Sequence, residues 1–389
     1  MASPAGLAEI LRGFGPAYLA THTPSPGEAK AWRAILACRT AALGGHVESC
    51  EQCGTTRHLY HSCRNRHCPK CQTRAKEAWL SARQRELLPV PYFHLVFTLP
   101  HTLNGLIARY PRALYECLFA AVSSTLSEFA ANPRWLGGES AFTLVLHTWK
   151  QDLARHVHLH ALVAGGALTR AGEWIAPKRG FLFPVKALST VFRGKFIAAL
   201  EHERTHARLR EGVALTEVKW CALQRELYRH DWVVYAKQPL GGAAQVLDYL
   251  GRYTHRVAIS NERIVAIDAE EVAFRVRVNG DNGGKRRTER LPGTEFIERF
   301  LQHVLPRGFK RIRHYGLLGP AHKRARLAAA RSALGVPAPQ PVVIESVAAF
   351  MQRVTHIEWA ACPHCRVGQF KFLQAIAPLS WWQSARAPP

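Results

Sequence analysis

Three histidines alternate with aliphatic residues in RHVHLHALVAGG, residues 155–166: His156, His158 and His160. On an extended strand, side chains at i and i+2 share a face with their backbones about 7 Å apart. Two imidazoles that close can chelate one divalent ion, while Leu159 between them points into a core and anchors the strand. Ligands presented from a rigid strand leave coordination positions open, which suits a catalytic ion better than a closed structural one. One strand histidine is more often a partly buried polar group; three in alternation favour the metal. The third ligand is open. His156 shares the face but lies further along the strand, and His147 and Gln151, near the preceding loop, are rivals.

A second constellation is YLGRYTHR, with Tyr249 and Tyr253 four residues apart. That spacing stacks them on one helical face. Such a pair is often core, but the flanking Arg252, His255 and Arg256 do not suit a buried stripe. A tyrosine hydroxyl can attack a phosphodiester and retain the DNA as a phosphotyrosine. A neighbouring divalent ion would polarise the phosphate for in-line attack. Two tyrosines permit two successive transfers without release of the first covalent strand.

The third constellation is CEQCGTTRHLYHSCRNRHCPKC. Cys50 and Cys53, then Cys68 and Cys71, have the spacing of a zinc ribbon whose two knuckles close a tetrahedron about Zn²⁺. Four protein ligands leave no open position, so this zinc is structural. A redox pair is the alternative reading, without a thioredoxin-like context to support it. Cys63, His61 and His67 lie in the same stretch and can exchange with the expected ligands. Arg64, Arg66 and Lys70 are expected to grip DNA phosphate around the metal. A further pair, Cys362 and Cys365, has no knuckle nearby in sequence; His356, His364 or a distant residue would have to complete it.

These groups must be positioned by a chain of 389 residues carrying 52 Lys plus Arg against 28 Asp plus Glu, a net charge of +24. A surplus that large implies a polyanionic partner, and nucleic acid before a membrane surface. No apolar run reaches about 18 residues, so no membrane-spanning helix is expected. The N-terminus lacks the features of a signal peptide, which points to the cytoplasm. Residues 1–45 read as helical with a break at Pro24 and Pro26. Strands are expected at YFHLVFTLP (92–100), FTLVLHTW (142–149), HVHLHALVAGG (156–166) and WVVYAKQP (232–239), and a hairpin at 265–280 followed by the turn GDNGG. Helices are expected over roughly 102–132, 186–211 and 241–257, and a basic stretch follows from Lys310. Strands and helices mix without a βαβ rhythm, so the class is α+β. Trp32, Trp79, Trp135 and Trp149 are candidates to stack unpaired bases, or ordinary core.

The order FTLP (97–100), HLH (158–160) and YLGRYTHRVAISN (249–261) resembles motifs one to three of the HUH single-strand endonucleases. More closely the chain resembles the insertion sequence 91 family of two-tyrosine transposases. The supporting stretches include CRTAALGGH (38–46), SCRNRHCPKC (62–71), FHLVFTLPHTLN (93–104), FRGKF (192–196) and HVLPRGFKRIRHYGLL (303–318), and they cover almost the whole chain. The resemblance implies a helical segment at 1–45 and a zinc-binding, DNA-binding domain at 46–88. It implies an HUH catalytic domain at 89–318, with a central antiparallel sheet flanked by helices, and a basic C-terminal region at 319–389. His158 and His160, with His156 as candidate third, would hold Mg²⁺ or Mn²⁺; Tyr249 and Tyr253 would be nucleophiles, with Tyr249 first. Arg252 and Arg256 would join Arg64, Arg66 and Lys70 at the DNA. The implied setting is a bacterial cytoplasm, on the nucleoid, with single-stranded element ends as partner. A replication initiator or relaxase would share the chemistry. A zinc-ribbon regulator without catalysis would need neither the His nor the Tyr pair.

Overall fold

The computed structural model describes residues 6–178, 181–206, 216–240, 245–246, 251, 258–277, 286–339, 349, 352–353 and 358–379. Tyr249, Arg252, Tyr253, Arg256, His356, the GDNGG turn and most of the helix expected at 241–257 lie outside the described residues.

Helices α1 (Leu7–Gly13), α2 (Gly15–Thr21) and α3 (Pro26–Ala37) open the chain. The expected break at Pro24–Pro26 is a helix start. Ser25 accepts from the Glu28 backbone N–H while the Glu28 carboxylate accepts from the Ser25 backbone, a reciprocal cap. Hairpin strands β1 (Gly45–Cys50) and β2 (Thr56–Tyr60) and helix α4 (Gln72–Gln84) follow. Next come β3 (Tyr92–Thr98), α5 (Asn104–Arg109), α6 (Pro111–Ala131), β4 (Ala141–Trp149) and β5 (Arg155–Ala164). The small ribbon β6 (Ala167–Leu168) and β7 (Trp174–Ile175) leads to α7 (Val185–His206), α8 (Glu217–Arg229) and β8 (Val234–Leu240). Strands β9 (Ile264–Ile267), β10 (Glu271–Arg277) and β11 (Arg286–Pro292), then α9 (Gly293–Leu301), β12 (Ile312–Gly316), α10 (Lys323–Ala333) and β13 (Phe370–Ile376) complete the order. The mixture is α+β with antiparallel sheets, as expected. No helix among the described residues is long and apolar enough to cross a membrane.

The central sheet has the order β12-β4-β5-β3-β8, antiparallel throughout. Alternation gives β5 two faces. Val157, Leu159, Ala161 and Val163 enter the main core with Phe93, Leu95 and Phe97 of β3 and Leu144 and Leu146 of β4. Helices α6 and α7 cover that face with Leu114, Leu118, Val122, Phe192 and Phe196, residues at helical spacing and nearly devoid of solvent. The opposite face of β5 carries His156, His158 and His160, then Leu162 and Ala164. The last two join a separate cluster with Leu88, Tyr92, Val246, Leu317 and Leu327. So one strand buries its odd residues under helices, while its even face carries the histidines at one end and apolar residues at the other.

Two smaller sheets flank this one. β9–β11 pack with α9 and the N-terminal helices in a second core that includes Leu7, Ile10, Trp32, Phe274 and Phe296. The third sheet, β13-β1-β2, pairs the C-terminal strand with the N-terminal hairpin. Residues 46–88 and 319–389, expected as separate regions, therefore share a sheet. Nothing local in either sequence announces a partner over 300 residues away.

Candidate active site and metal centres

The tight turn between β4 and β5 decides which histidines meet. The Lys150 N–H donates to Ala154, the Asp152 carboxylate caps the Ala154 N–H, and Leu153 takes a left-handed φ of 64° with its side chain buried. This turn sets a register in which His147 lies directly opposite His158. Their neighbour His160 completes a group of three whose ligand nitrogens all lie within 4.8 Å of one another. His160 Nε2 is 3.1 Å from His158 Nε2 and 3.1 Å from His147 Nδ1. His156, the expected third ligand, shares the face but is not in this group; it faces His101, with ring centroids 5.4 Å apart. His147, one of the two rivals, joins the group instead, because it approaches from the adjacent strand and not from one step further along the same strand. Gln151 stands exposed in the turn, and its carbonyl accepts from Arg263.

The donor set fits a divalent ion. His158 Nδ1 is 2.9 Å from the His156 carbonyl, which can only accept, so Nδ1 carries the proton and Nε2 is a bare lone pair. Burial, with a smaller push from His156, lowers the His158 pKa to about 4, so the ring is neutral near pH 7. Burial, then the charges of Lys150 and His101, likewise lowers His156 to about 4, and its Nδ1 is buried without a hydrogen-bond partner. Three imidazole nitrogens this close could hold one divalent ion between them.

One residue of this site escaped the sequence reading. His94 of β3 is buried, and its Nε2 lies 2.9 Å from His160 Nδ1 with the two rings stacked at 5.1 Å. If His160 ligates through Nε2, its Nδ1–H donates to His94, which fixes tautomer and ring plane. The signal was present in FHLV, since His94 lies on the same face of β3 as Val96, the direct partner of His160. Trp149 stacks on His147 at 4.8 Å, whereas Trp32 is buried core.

The cysteines group differently from the expected ribbon. Cys68 and Cys71 join Cys38 and Cys63, while Cys50 and Cys53 join Cys362 and Cys365; each set of four sulfurs lies within 4.8 Å. This corrects the reading of Cys50, Cys53, Cys68 and Cys71 as one site. The hairpin of β1 and β2 carries the first knuckle away from the second, and α3 delivers Cys38 at its C-cap. In the first set, Cys71 Sγ is 3.4 Å from Cys38 Sγ and 3.6 Å from Cys63 Sγ. Cys38 and Cys63 are each followed by an arginine at positive φ, Arg39 at 57° and Arg64 at 53°. Those repeated Cys-Arg steps were the legible trace of a paired turn. Arg64 and Lys70 are exposed, as a phosphate-gripping role requires. Arg66 is exposed as well, but its guanidinium donates to the carbonyls of Leu305, Pro306 and Phe309, so it ties this loop to the segment before β12.

Comparison with known proteins adds the following. Residues 141–326 match the family model described as "Putative transposase", and residues 10–99 match "Transposase zinc-binding domain". The chain is 44% identical over 374 residues to "Putative transposase y4qJ" of Sinorhizobium fredii (strain NBRC 101917 / NGR234), covering 93% of each chain. It is 28% identical over 293 residues to "Transposase for insertion sequence element IS801" of Pseudomonas savastanoi pv. phaseolicola, covering 73% of this chain and 68% of that one.

Proposed function

Since the chain belongs to the insertion sequence 91 family of transposases with an N-terminal zinc-binding domain, we propose that it is a metal-dependent, HUH-type single-strand DNA nickase and strand transferase. The observation that carries this reading is the convergence of His147, His158 and His160 on one face of the central sheet. These three residues would hold Mg²⁺ or Mn²⁺. When bound, the ion supplies Lewis-acid polarisation of the scissile phosphate. The described residues on either side of Tyr249 support its role. Val246 joins the cluster with Leu162 and Ala164, on the histidine-bearing face of β5, and a Cβ on Gly251 would meet Lys76 and Leu80 of α4.

In this mechanism the Tyr249 oxygen attacks phosphorus and loses its proton. The bond to the 3′ oxygen breaks, that oxygen takes up a proton, and the 5′ phosphate stays on the tyrosine. The free 3′ hydroxyl primes synthesis, as rolling-circle-like transposition requires. Tyr253 then accepts the second strand. Cys38, Cys63, Cys68 and Cys71 would hold a structural zinc, and the domain around them would present Arg64 and Lys70 to DNA, with Arg252 and Arg256 acting beside the tyrosines.

The test is covalent capture. Protein is mixed with single-stranded oligonucleotides from its element's ends and Mn²⁺, then run on a denaturing gel. We expect an SDS-resistant adduct that requires the ion, persists in one of Tyr249→Phe and Tyr253→Phe, and disappears when both are changed. Tight binding with no adduct on either strand would return the chain to a non-catalytic DNA-binding role.

A further inference from the structure

The four sulfurs of Cys50, Cys53, Cys362 and Cys365 form a group separate from the three histidines, with Cys50 and Cys53 inside the matched zinc-binding residues 10–99 and Cys362 and Cys365 far outside them. Cys50 Sγ is 3.7 Å from Cys365 Sγ, and Cys53 Sγ is 3.8 Å from Cys362 Sγ. Both distances are far beyond a disulfide bond of about 2.05 Å. A tetrahedron of sulfurs about 2.3 Å from a zinc ion has edges of about 3.8 Å. The observed separations are those edges.

The backbone repeats itself around the two halves. After Cys53, Gly54 takes φ 71° and its N–H donates to the Cys50 carbonyl at 3.0 Å. After Cys365, Arg366 takes φ 60° and its N–H donates to the Cys362 carbonyl at 2.9 Å. Each Cys-x-x-Cys is thus the same closed turn with both thiols on one side. One sulfur also receives a backbone donor of the kind that stabilises a thiolate: Gly368 N–H donates to Cys365 Sγ at 3.3 Å, while Cys53 Sγ lies 3.2 Å from the Thr55 hydroxyl oxygen, to which its thiol donates. Gly368 leaves room for this approach, since a Cβ there would sit 2.5 Å from Cys50 Sγ. β13 pairs with β1 in a register that seats Phe370 opposite Cys50, and Arg57 lies over the Phe370 ring at 3.8 Å.

We infer that these four cysteines form a second structural Zn²⁺ site, which clasps the C-terminal strand to the N-terminal hairpin. It is independent of the catalytic reading. The first set of four cysteines, wholly within residues 10–99, would account for a single ion.

The test counts thiolate-bound metal in the full-length chain. Protein is loaded with Co²⁺, whose sulfur-to-cobalt charge-transfer band reports thiolate ligands and is silent for an ion held by imidazoles alone. We expect two such ions per chain. Cys362→Ser with Cys365→Ser should halve the band, and Cys38→Ser with Cys63→Ser should halve it from the other side. Gly368→Ala, which removes no thiol, should weaken retention of one ion only. A wild-type count of one, or an undiminished band after the Cys362 and Cys365 changes, overturns the inference. A mercurial titration of the zinc-loaded wild type needs no variant. Release of two ions with eight thiols supports the clasp, and release of one ion with four thiols overturns it.

Discussion

His158 and His160 illustrate how a hydrogen bond with another group can orient an imidazole and set its tautomer. The His156 carbonyl accepts from His158 Nδ1–H, and His94 Nε2 faces the Nδ1 of His160. We place His94 as a positioning residue. His94→Phe should raise the Mn²⁺ concentration needed for half-maximal nicking by about 10–100-fold, while the rate at saturating Mn²⁺ stays close to wild type. His94→Gln, which keeps a polar partner, should recover part of the affinity. An unchanged metal requirement would show that His94 merely packs. A site of three nitrogens also favours a softer ion, so half-activation should need less Mn²⁺ than Mg²⁺. At this scale the sequence was only partly legible. The alternation of His158 and His160 is visible within one strand. The choice of His147 over His156 depends on how a five-residue turn closes, and the value of His94 depends on a strand contributed some 60 residues earlier.

Among elements, β5 bears the strongest constraint, because Leu159 between His158 and His160 is wholly buried under α6 and α7. Leu159→Ala should destabilise the protein by about 2–4 kcal/mol and lower metal affinity with it, both measurable by thermal melts across an Mn²⁺ titration. Equal metal affinity in the folded variant would separate the core from the site. The other flank of the sheet is fastened by neutral histidines. His314 of β12 bonds Thr143 at 2.9 Å and accepts from Arg83 at 2.8 Å, while His303 bonds Thr148 at 3.1 Å. Burial, then the charges of Arg83 and Lys323, lowers His314 to about 4, and burial does the same to His303. The unfolded chain, with imidazoles near 6.5, binds protons that the folded chain refuses. Stability is therefore lost as pH falls from about 6.5 to about 4. His314→Asn should remove about 1–2 kcal/mol of that dependence, read as the difference between variant and wild-type denaturation midpoints at pH 7 and 4.5. Parallel curves would sink the assignment. The strands of the central sheet were legible because their apolar runs are long. β12 was not, since IRHYG carries only two apolar residues and gains its place from pairing with β4.

At the scale of the whole molecule, the net charge of +24 sets the partner. Affinity for single-stranded DNA should fall with salt by a log–log slope of about −0.7 per neutralised phosphate, so a footprint of about six phosphates gives roughly −4. A slope near zero in a filter-binding titration would refute an electrostatic footprint. The α+β class and the succession of β4 and β5 follow from pattern, whereas closure between the chain's ends does not, because two short knuckles look alike wherever they fall. That closure has a consequence for synthesis. Cys53 precedes Cys362 by 309 residues, so at about 5–20 residues per second the ribosome needs roughly 15–60 s to deliver the second half of the clasp. Throughout that interval the nascent N-terminal hairpin holds two unpartnered thiols and an open strand edge. A copy of the gene interrupted by a late stop codon would leave them so permanently, turning an intact catalytic sequence into a product marked for proteolysis.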